Sequence, residues 1–531
     1  MCDEHSRSCA RGAAERAVLF GAALLAACGG GGFSRPPRDA NVVRIASPSR
    51  VGNVTPSASW DYYTAQVARL VFEGLTRIEE SGDLAPGLAK SWRAGREGRE
   101  FRFILRSDVT FHDGTPFTAA DVQRCWITAL RADPDALSHP WMLDPIEGAR
   151  ELSIGARNDL SGLVVVDDTT LVVRLREPLA FFPTLTALPQ TAISATASDS
   201  THPIGTGPWR WVGRRNADAD IRFVRNTQYW GDPPRLDSLV YRFVPDSFAD
   251  RAFTAGFVDI VSELPLATRL AWSARSDVGF VESPTAAITR IVINMREPVF
   301  ADVRVRRALN HAIDAARLAQ TTAAPTSVRA AGSIPPTLPG ADPQRAPYAF
   351  DPALARHLWQ EGGYPPDRPL RLWAPGPGLA DYPPEIGELV RSYLAGAGFT
   401  VELTIQNRGL EQAMRDRKAD LTISVWVGDY PDGDAYLYPL YHSTVAGSAG
   451  NDGAYANRDV DQLIDASRRA LDPVRRAALL RAADSLVFTD APAVPLWFTH
   501  SASAYSLRLA GWGLDPQASR FTRLQRAGGA P

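Results

Sequence analysis

Three observations predict an α/β chain of more than one packed unit, with a hairpin-rich subdomain in its first half. The segments FTVELTIQ and DLTISVW flank a helical stretch at 409–417, a strand–helix–strand crossover that implies parallel pairing. Between 76 and 185 the pattern changes to short alternating strands joined by turn residues. A length of 531 residues exceeds what one core holds, and 45% hydrophobic with 22% charged residues excludes a disordered, collagenous or disulfide-stapled chain.

The chain opens on an export signal. A polar stretch with Arg7, Arg11 and Arg16 precedes the apolar run AVLFGAALLAA at 17–27. As a helix that run spans about 16 Å, half a bilayer core, so it suits a signal peptide (1–27) and not a membrane span. Asp3, Glu4 and Glu15 offset the three arginines, a departure from a net-positive leader. The segment Leu25-Ala26-Ala27-Cys28 resembles a bacterial lipoprotein box, which implies lipidation at Cys28. The glycines at 29–32 cannot continue a helix, and 28–40 reads as a flexible tether. Cys2 and Cys9 leave with the signal, so Cys125 has no disulfide partner; its spacing with Val122 and Ala129 predicts a buried core thiol.

Folding begins near Val42, where NVVRIA suits a strand. Residues 64–75 read as a helix, with Val67, Leu70 and Val71 on one face. Next come the strand FRFILR and a tight turn at Asp113-Gly114, where positive φ is needed. Thr118 and Asp121 form a capping box before the following helix, with aspartate in the usual place of Glu or Gln. LVVVDDTTLVVRL is strand, turn and strand; GTGPWRW is a tight turn; IRFVRN and SLVYRFV are strands. FADRAFTAGFVDIV is a helix leading to a short strand, and ITRIVINM begins a new pattern. Asp302 caps a helix from Val303 whose apolar face is Val305, Leu309, Ala312, Ile313 and Ala316, with Arg304, Arg306 and Arg307 largely elsewhere. Helices at 460–470 and 474–488 lead to the closing strand APAVPLWF.

Composition and motifs exclude several functions. With 57 basic against 59 acidic residues, the chain lacks the basic excess that binds nucleic acid or a strongly anionic membrane. It has no HExxH, GxSxG, GxxxxGK[ST] or CxxC, and its eight histidines are not spaced as zinc ligands. No cofactor is implied.

A series of blocks carries a resemblance. They are LVFEGLTR (70–77), LAPGLAKSWR (84–93), FRFILRSDVTFHDGTPFTAADV (101–122), GTGPWRW (205–211) and NTQYWGDPPRLDSLVYRFVPD (226–246). AFTAGFVDIV (252–261), FADVRVRRALNHAID (300–314), WVGDYPDGDAYLYPL (426–440) and DAPAVPLW (490–497) follow. In this order they resemble the extracytoplasmic solute-binding proteins of ABC importers, in the family that includes oligopeptide-, dipeptide- and nickel-binding members. The resemblance implies a two-lobed periplasmic-binding-protein fold of the large class II type, with an extra subdomain and a hinge of two crossover strands. Lobe I would span 41–290, with the subdomain at about 76–185, and lobe II 291–496, with a return to lobe I at 497–531. ITRIVINM and APAVPLWF would be the hinge crossings.

The same resemblance implies a monomer, anchored to the membrane by lipid, that hands a peptide or other small solute to ABC permease subunits and their ATPase. In peptide-binding members an aspartate shortly after a tryptophan accepts the ligand α-ammonium. The matching residues here are Trp426, Gly428, Asp429 and Tyr430, with Trp60 and Tyr62 from the first lobe. Asp429 follows a strand, the usual ligand position in an open α/β sheet. Asp432 and Asp434 suit structural roles, Asp434 as a helix cap. Some members carry an arginine three residues before the tryptophan to answer peptide carboxylates; this chain has Ile423. An oligosaccharide, a nickel complex touching His112 or His442, or another small solute stays open on the same fold. So do a surface hydrolase and a peptide-binding sensor or chaperone.

Overall fold

A computed structural model describes residues 41–79, 82–131, 139–214, 220–322, 327–376, 385–447, 450–512 and 521–527. The expected signal peptide, Cys28 and the tether lie outside them. Two long antiparallel strands, Val278–Ile293 and Ala493–Ser506, run side by side through one 11-stranded sheet. Their pairing changes register between Pro284 and Ile288, opposite His500 and Phe498. On one flank lie Leu421–Val427, Leu370–Ala374 and Val401–Ile405, mutually parallel. On the other lie Ile260–Val261, Val42–Ser47 and Ser238–Phe243, also parallel, then Ile221–Arg225 and Trp209–Arg214 in antiparallel order. The result is the two-lobed α/β fold with two crossing strands. ITRIVINM and APAVPLWF form the second-lobe halves of strands that continue into the first lobe.

Register also sets direction. Ile260 and Val261 pair with Tyr505 and Ala504, so the carboxyl ends of the parallel first-lobe strands point along the second crossing strand toward Phe498 and the second lobe. Leu421 pairs with Ile293 and Val427 with Ala287, so that strand's carboxyl end points back toward the first lobe. Each lobe therefore presents strand ends to the other.

In the first lobe the helix is Tyr62–Val71, starting two residues earlier than its apolar spacing predicts. The cause is Asp61, whose side chain accepts the Thr64 N–H at 2.9 Å and sets the first turn. It ends before Phe72, which turns to extended backbone, and Gly74 then passes against Thr186, whose carbonyl oxygen lies 2.0 Å from where a Cβ would stand. Between them the buried Glu73 accepts hydrogen bonds from the Thr206 hydroxyl (2.9 Å), the Tyr229 hydroxyl (2.8 Å) and the Trp230 indole (2.8 Å). Three separate sequence blocks, around residues 73, 206 and 230, thus converge on one carboxylate.

The subdomain is a four-stranded antiparallel sheet in the order Ala89–Gly95, Glu100–Leu105, Thr170–Arg174, Leu163–Asp167. Gly114 takes φ 88° in the expected turn, and the Thr118 N–H donates to Asp121 at 3.0 Å in the expected box before the helix Ala119–Leu130. That helix buries Val122, Trp126 and Ala129 against Phe101 and Phe103. Cys125 is half-buried at its edge, 3.4 Å from the Ser194 carbonyl oxygen, and not fully in the core. His112 is held by the 205–207 loop: its Nε2–H donates to the Gly207 carbonyl at 2.9 Å and its Nδ1 faces the Gly205 N–H at 3.4 Å. Burial pulls its pKa down to about 4.

In the second lobe, FTVELTIQ and DLTISVW are not neighbours. Leu370–Ala374 lies between them and pairs in parallel with both. The helix Val303–Ala312 starts at its Asp302 cap and buries Val305, Leu309 and Ala312. Arg306 departs from the expected polar face: it is buried, donating to the carbonyls of Asp490 (2.7 Å), Phe300 (2.7 Å) and Ala301 (2.9 Å). The subdomain meets this lobe through Phe181, whose ring stacks on Tyr430 at 5.2 Å with the Arg476 guanidinium 5.0 Å away. The Ala180 N–H donates to the Arg468 carbonyl at 2.7 Å beside it.

Phe181→Ala is expected to cost about 3–5 kcal/mol in chemical denaturation, the range for emptying a buried phenylalanine site. His112 adds a pH signature. Its folded pKa lies below its ordinary value of 6.5, so its contribution is complete above that value and is lost as pH falls toward about 4. Denaturation midpoints followed across this window should fall less steeply in His112→Gln than in the unmodified protein.

Candidate functional site

Asp429 stands two residues beyond the carboxyl end of Leu421–Val427, on the edge facing the first lobe. The residue is exposed, yet the protein packed around it desolvates the carboxyl enough to push its pKa above the ordinary 3.8. Among the described residues it has no hydrogen-bond or ion-pair partner, and desolvation alone raises its pKa.

The neighbouring acids are all engaged. Asp432 forms a two-point ion pair with Arg476, one contact at 2.8 Å, and accepts the Asp434 N–H at 2.8 Å. Asp434 opens the helix Asp434–Tyr441 and accepts the Tyr430 hydroxyl at 2.8 Å. Both serve the loop structurally, but Asp434 is not the expected cap: Gly433 holds that position without a side-chain bond, and Asp434 is the first helical residue, its carboxylate turned to Tyr430. Gly428 lets this loop lie on the fully buried Tyr436: a Cβ there would stand 2.7 Å from the ring. Gly428 is also hydrogen-bonded through its backbone to the Tyr436 hydroxyl. The loop is therefore held at Tyr436, Asp432 and Asp434, which leaves Asp429 free in charge but fixed in place.

The other expected residues divide. Trp426 is half-buried, its indole donating to the Ala435 carbonyl at 2.8 Å, so it braces the loop that carries Asp429. Tyr430 does not wall a pocket: it is buried against Phe181 and Trp141, with its hydroxyl spent on Asp434. Tyr62 is 40% exposed at the start of its helix, yet burial and the nearby Glu263 raise its pKa strongly. It thus shares the exposed but partly desolvated character of Asp429, from the first lobe. Trp60 donates to the Ser57 carbonyl at 2.8 Å and packs on the core.

Sequence reasoning missed Glu263 and Arg269. Glu263 follows the short strand Ile260–Val261, the same strand-end position that singles out Asp429. Arg269 ties this loop to the crossing strand: it donates to the Leu264 carbonyl at 2.9 Å, meets Glu263 at 3.2 Å and reaches the His500 carbonyl. As for metals, both ring nitrogens of His112 are occupied by backbone, and His442 Nδ1 lies 2.7 Å from the Thr444 hydroxyl. Among the described residues no group of three or more potential ligands is placed to hold a metal ion.

Known proteins match this architecture. The model of the bacterial extracellular solute-binding proteins, family 5 Middle, covers residues 83–448. The chain belongs to this family. As a family 5 solute-binding protein of ABC importers it works outside the cytoplasm, and among the described residues no helix is long and apolar enough to cross a membrane. It is 25% identical over 516 residues to the glutathione-binding protein GsiB of Escherichia coli O1:K1, covering 94% of this chain and 96% of that one. The periplasmic murein tripeptide-binding protein MppA, in an unliganded open form, superposes with a TM-score of 0.79 at 24% identity over 92% and 98% of the two chains. DppA of Helicobacter pylori, in complex with the peptide STSA, gives a TM-score of 0.74 at 21% identity over 92% and 98%. These solved structures share the two-lobed fold.

The Asp429 environment makes a stability prediction for this family member. A carboxyl whose folded pKa is raised binds its proton more tightly folded than unfolded, so its ionised form opposes folding above that raised value. The opposition vanishes as pH falls below the ordinary 3.8. Asp429→Asn should therefore raise the urea midpoint of the ligand-free protein at neutral pH, with the gain shrinking toward pH 3.8.

Proposed function

We propose that the protein captures a di- or oligopeptide between its lobes, with Asp429 accepting the ligand α-ammonium, and delivers it to an ABC permease. One observation carries the reading: Asp429, at a strand end facing the first lobe, is an exposed but partly desolvated carboxylate with no counter-ion among the described residues. Such a group is costly alone and favourable once a cation arrives, since a charge-assisted hydrogen bond adds about 1.5–3 kcal/mol. Relatives named for glutathione and for bound peptide support the ligand class. Tyr62 and Trp60 would complete the cleft from the first lobe. A ligand touching both lobes shifts an open–closed equilibrium by no more than its difference in affinity for the two states. In this reading the chain performs no chemistry, acts as a monomer and is held at the membrane through Cys28.

The test is a thermal shift of the purified protein against pools of dipeptides, tripeptides and longer peptides, with oligosaccharide and nickel pools alongside. A ligand at a hundredfold excess over its Kd adds about 2.7 kcal/mol of apparent stability. The expected result is a shift confined to peptides that Asp429→Ala abolishes and N-terminal acetylation of the peptide weakens. A shift with sugars or nickel alone would discard the peptide reading and keep the fold. Turnover of any ligand into product would make the protein a hydrolase.

A further inference from the structure

A second recess lies on the first lobe, at the carboxyl ends of Val42–Ser47 and Ser238–Phe243, and so on the edge that faces the second lobe. It is a shallow recess of ≈ 20 Å³, open to solvent, and is lined by Ser47, Ser49, Arg50, Arg214, Tyr241 and Arg242 among others. Its charges are not alike. Arg242 is neutralised by Asp220 through two contacts of 2.9 and 2.7 Å, and Arg50 lies over the Phe243 ring at 4.7 Å. Arg214 donates one hydrogen bond, to the Val51 carbonyl at 2.8 Å, and among the described residues it has no carboxylate partner. Its Nε–H is buried and unpaired.

Tyr241, 3% exposed on the same recess, also holds a buried hydroxyl with no partner. Buried donors are rarely left unmade, and here two of them belong to one recess beside an uncompensated positive charge. Water would satisfy the donors and leave the charge. An oxygen anion answers the charge as well, because guanidinium and phenol both donate to carboxylate or phosphate oxygens.

We propose that this recess is an oxoanion site in which Arg214 and Tyr241 bind a carboxylate or phosphate group. The anion arrives either free or as the carboxylate of a molecule lying between the lobes. The second source rests on the peptide reading and would supply the cation that Ile423 withholds; the first does not.

Two arms separate the sources. In the first, inorganic phosphate and acetate are titrated into the purified protein at constant ionic strength, set with chloride, and the melting temperature is followed. In the second, peptides found to bind are compared with their C-terminal amides. Arg214→Gln and Tyr241→Phe, each checked for native circular dichroism, are carried through both arms. A melting shift with phosphate or acetate that both variants reduce at least tenfold in apparent affinity establishes a site for free anions. An at least tenfold preference for the free C-terminus, lost in both variants, establishes the ligand-borne carboxylate. Responses unchanged in the variants, or no response in either arm, overturn the proposal. If no peptide binds at all, the cleft reading fails while the first arm still decides the recess.

Discussion

The pairing of Val278–Ile293 with Ala493–Ser506 is the constraint from which the remaining geometry follows. Because the two crossing strands are antiparallel, whatever pairs alongside them inherits a direction. Ile260–Val261 fixes the first-lobe parallel strands, and Leu421–Val427 fixes those of the second. The carboxyl ends of both sets then face across the junction, where open α/β sheets bind ligands. Two lobes with one strand between them could rotate freely; two paired strands restrain them, and their register breaks only between Pro284 and Ile288 and between Thr289 and Arg290. The site's location is thus a consequence of hydrogen-bond register before any side chain is considered.

Electrostatics then distinguishes one carboxylate from its neighbours. Arg476 answers Asp432, Tyr430 answers Asp434, and Arg368 and Arg371 answer the buried Asp420 at 2.7 and 2.6 Å. Asp420 and Asp432 are buried with arginine partners, while Asp434 keeps one buried oxygen without a hydrogen bond and a raised pKa despite its bond from Tyr430. Asp429 has been desolvated without compensation, which opposes folding and favours capture of a cation; such conflicts between local stability and global fold cluster at functional sites. The same contrast holds among the arginines of the first-lobe recess, where Arg242 is paired and Arg214 is not.

Much of this was legible in the chain because it depended on neighbours in sequence. The Asp302 cap, the Thr118–Asp121 box and the Asp113-Gly114 turn each close within a few residues, and all three form. What was hidden depended on distant partners. Leu370–Ala374 is five residues long, too short for periodicity to declare, and its insertion between two strands seen as neighbours is a tertiary choice. Arg306 read as polar surface because its acceptors are carbonyls, which carry no sequence identity. The position of Asp429 was readable from its place after a strand. Tyr430 was not, because its partner Phe181 lies far away in the subdomain.

That adjacency of Asp429 and Tyr430 has a mechanical meaning. Consecutive residues of one loop do opposite work: Tyr430 is buried between Phe181, Trp141 and Asp434, while Asp429 meets water. A buried aromatic in a close-packed contact moves little, so the backbone it shares with Asp429 is fixed with it. Trp426 braces the segment from before, through Ala435, and Tyr436 lies beneath Gly428. In the proposed role the carboxylate is positioned before a ligand arrives, and less ordering entropy would be lost on binding than a mobile loop would require. Because Phe181 belongs to the first-lobe subdomain, this pre-organisation is supplied jointly by both lobes: the loop that carries the candidate ligand charge is also the loop by which the subdomain touches the second lobe. Any rotation of the lobes that strains the Phe181–Tyr430 stack is felt one residue away, at the carboxylate itself.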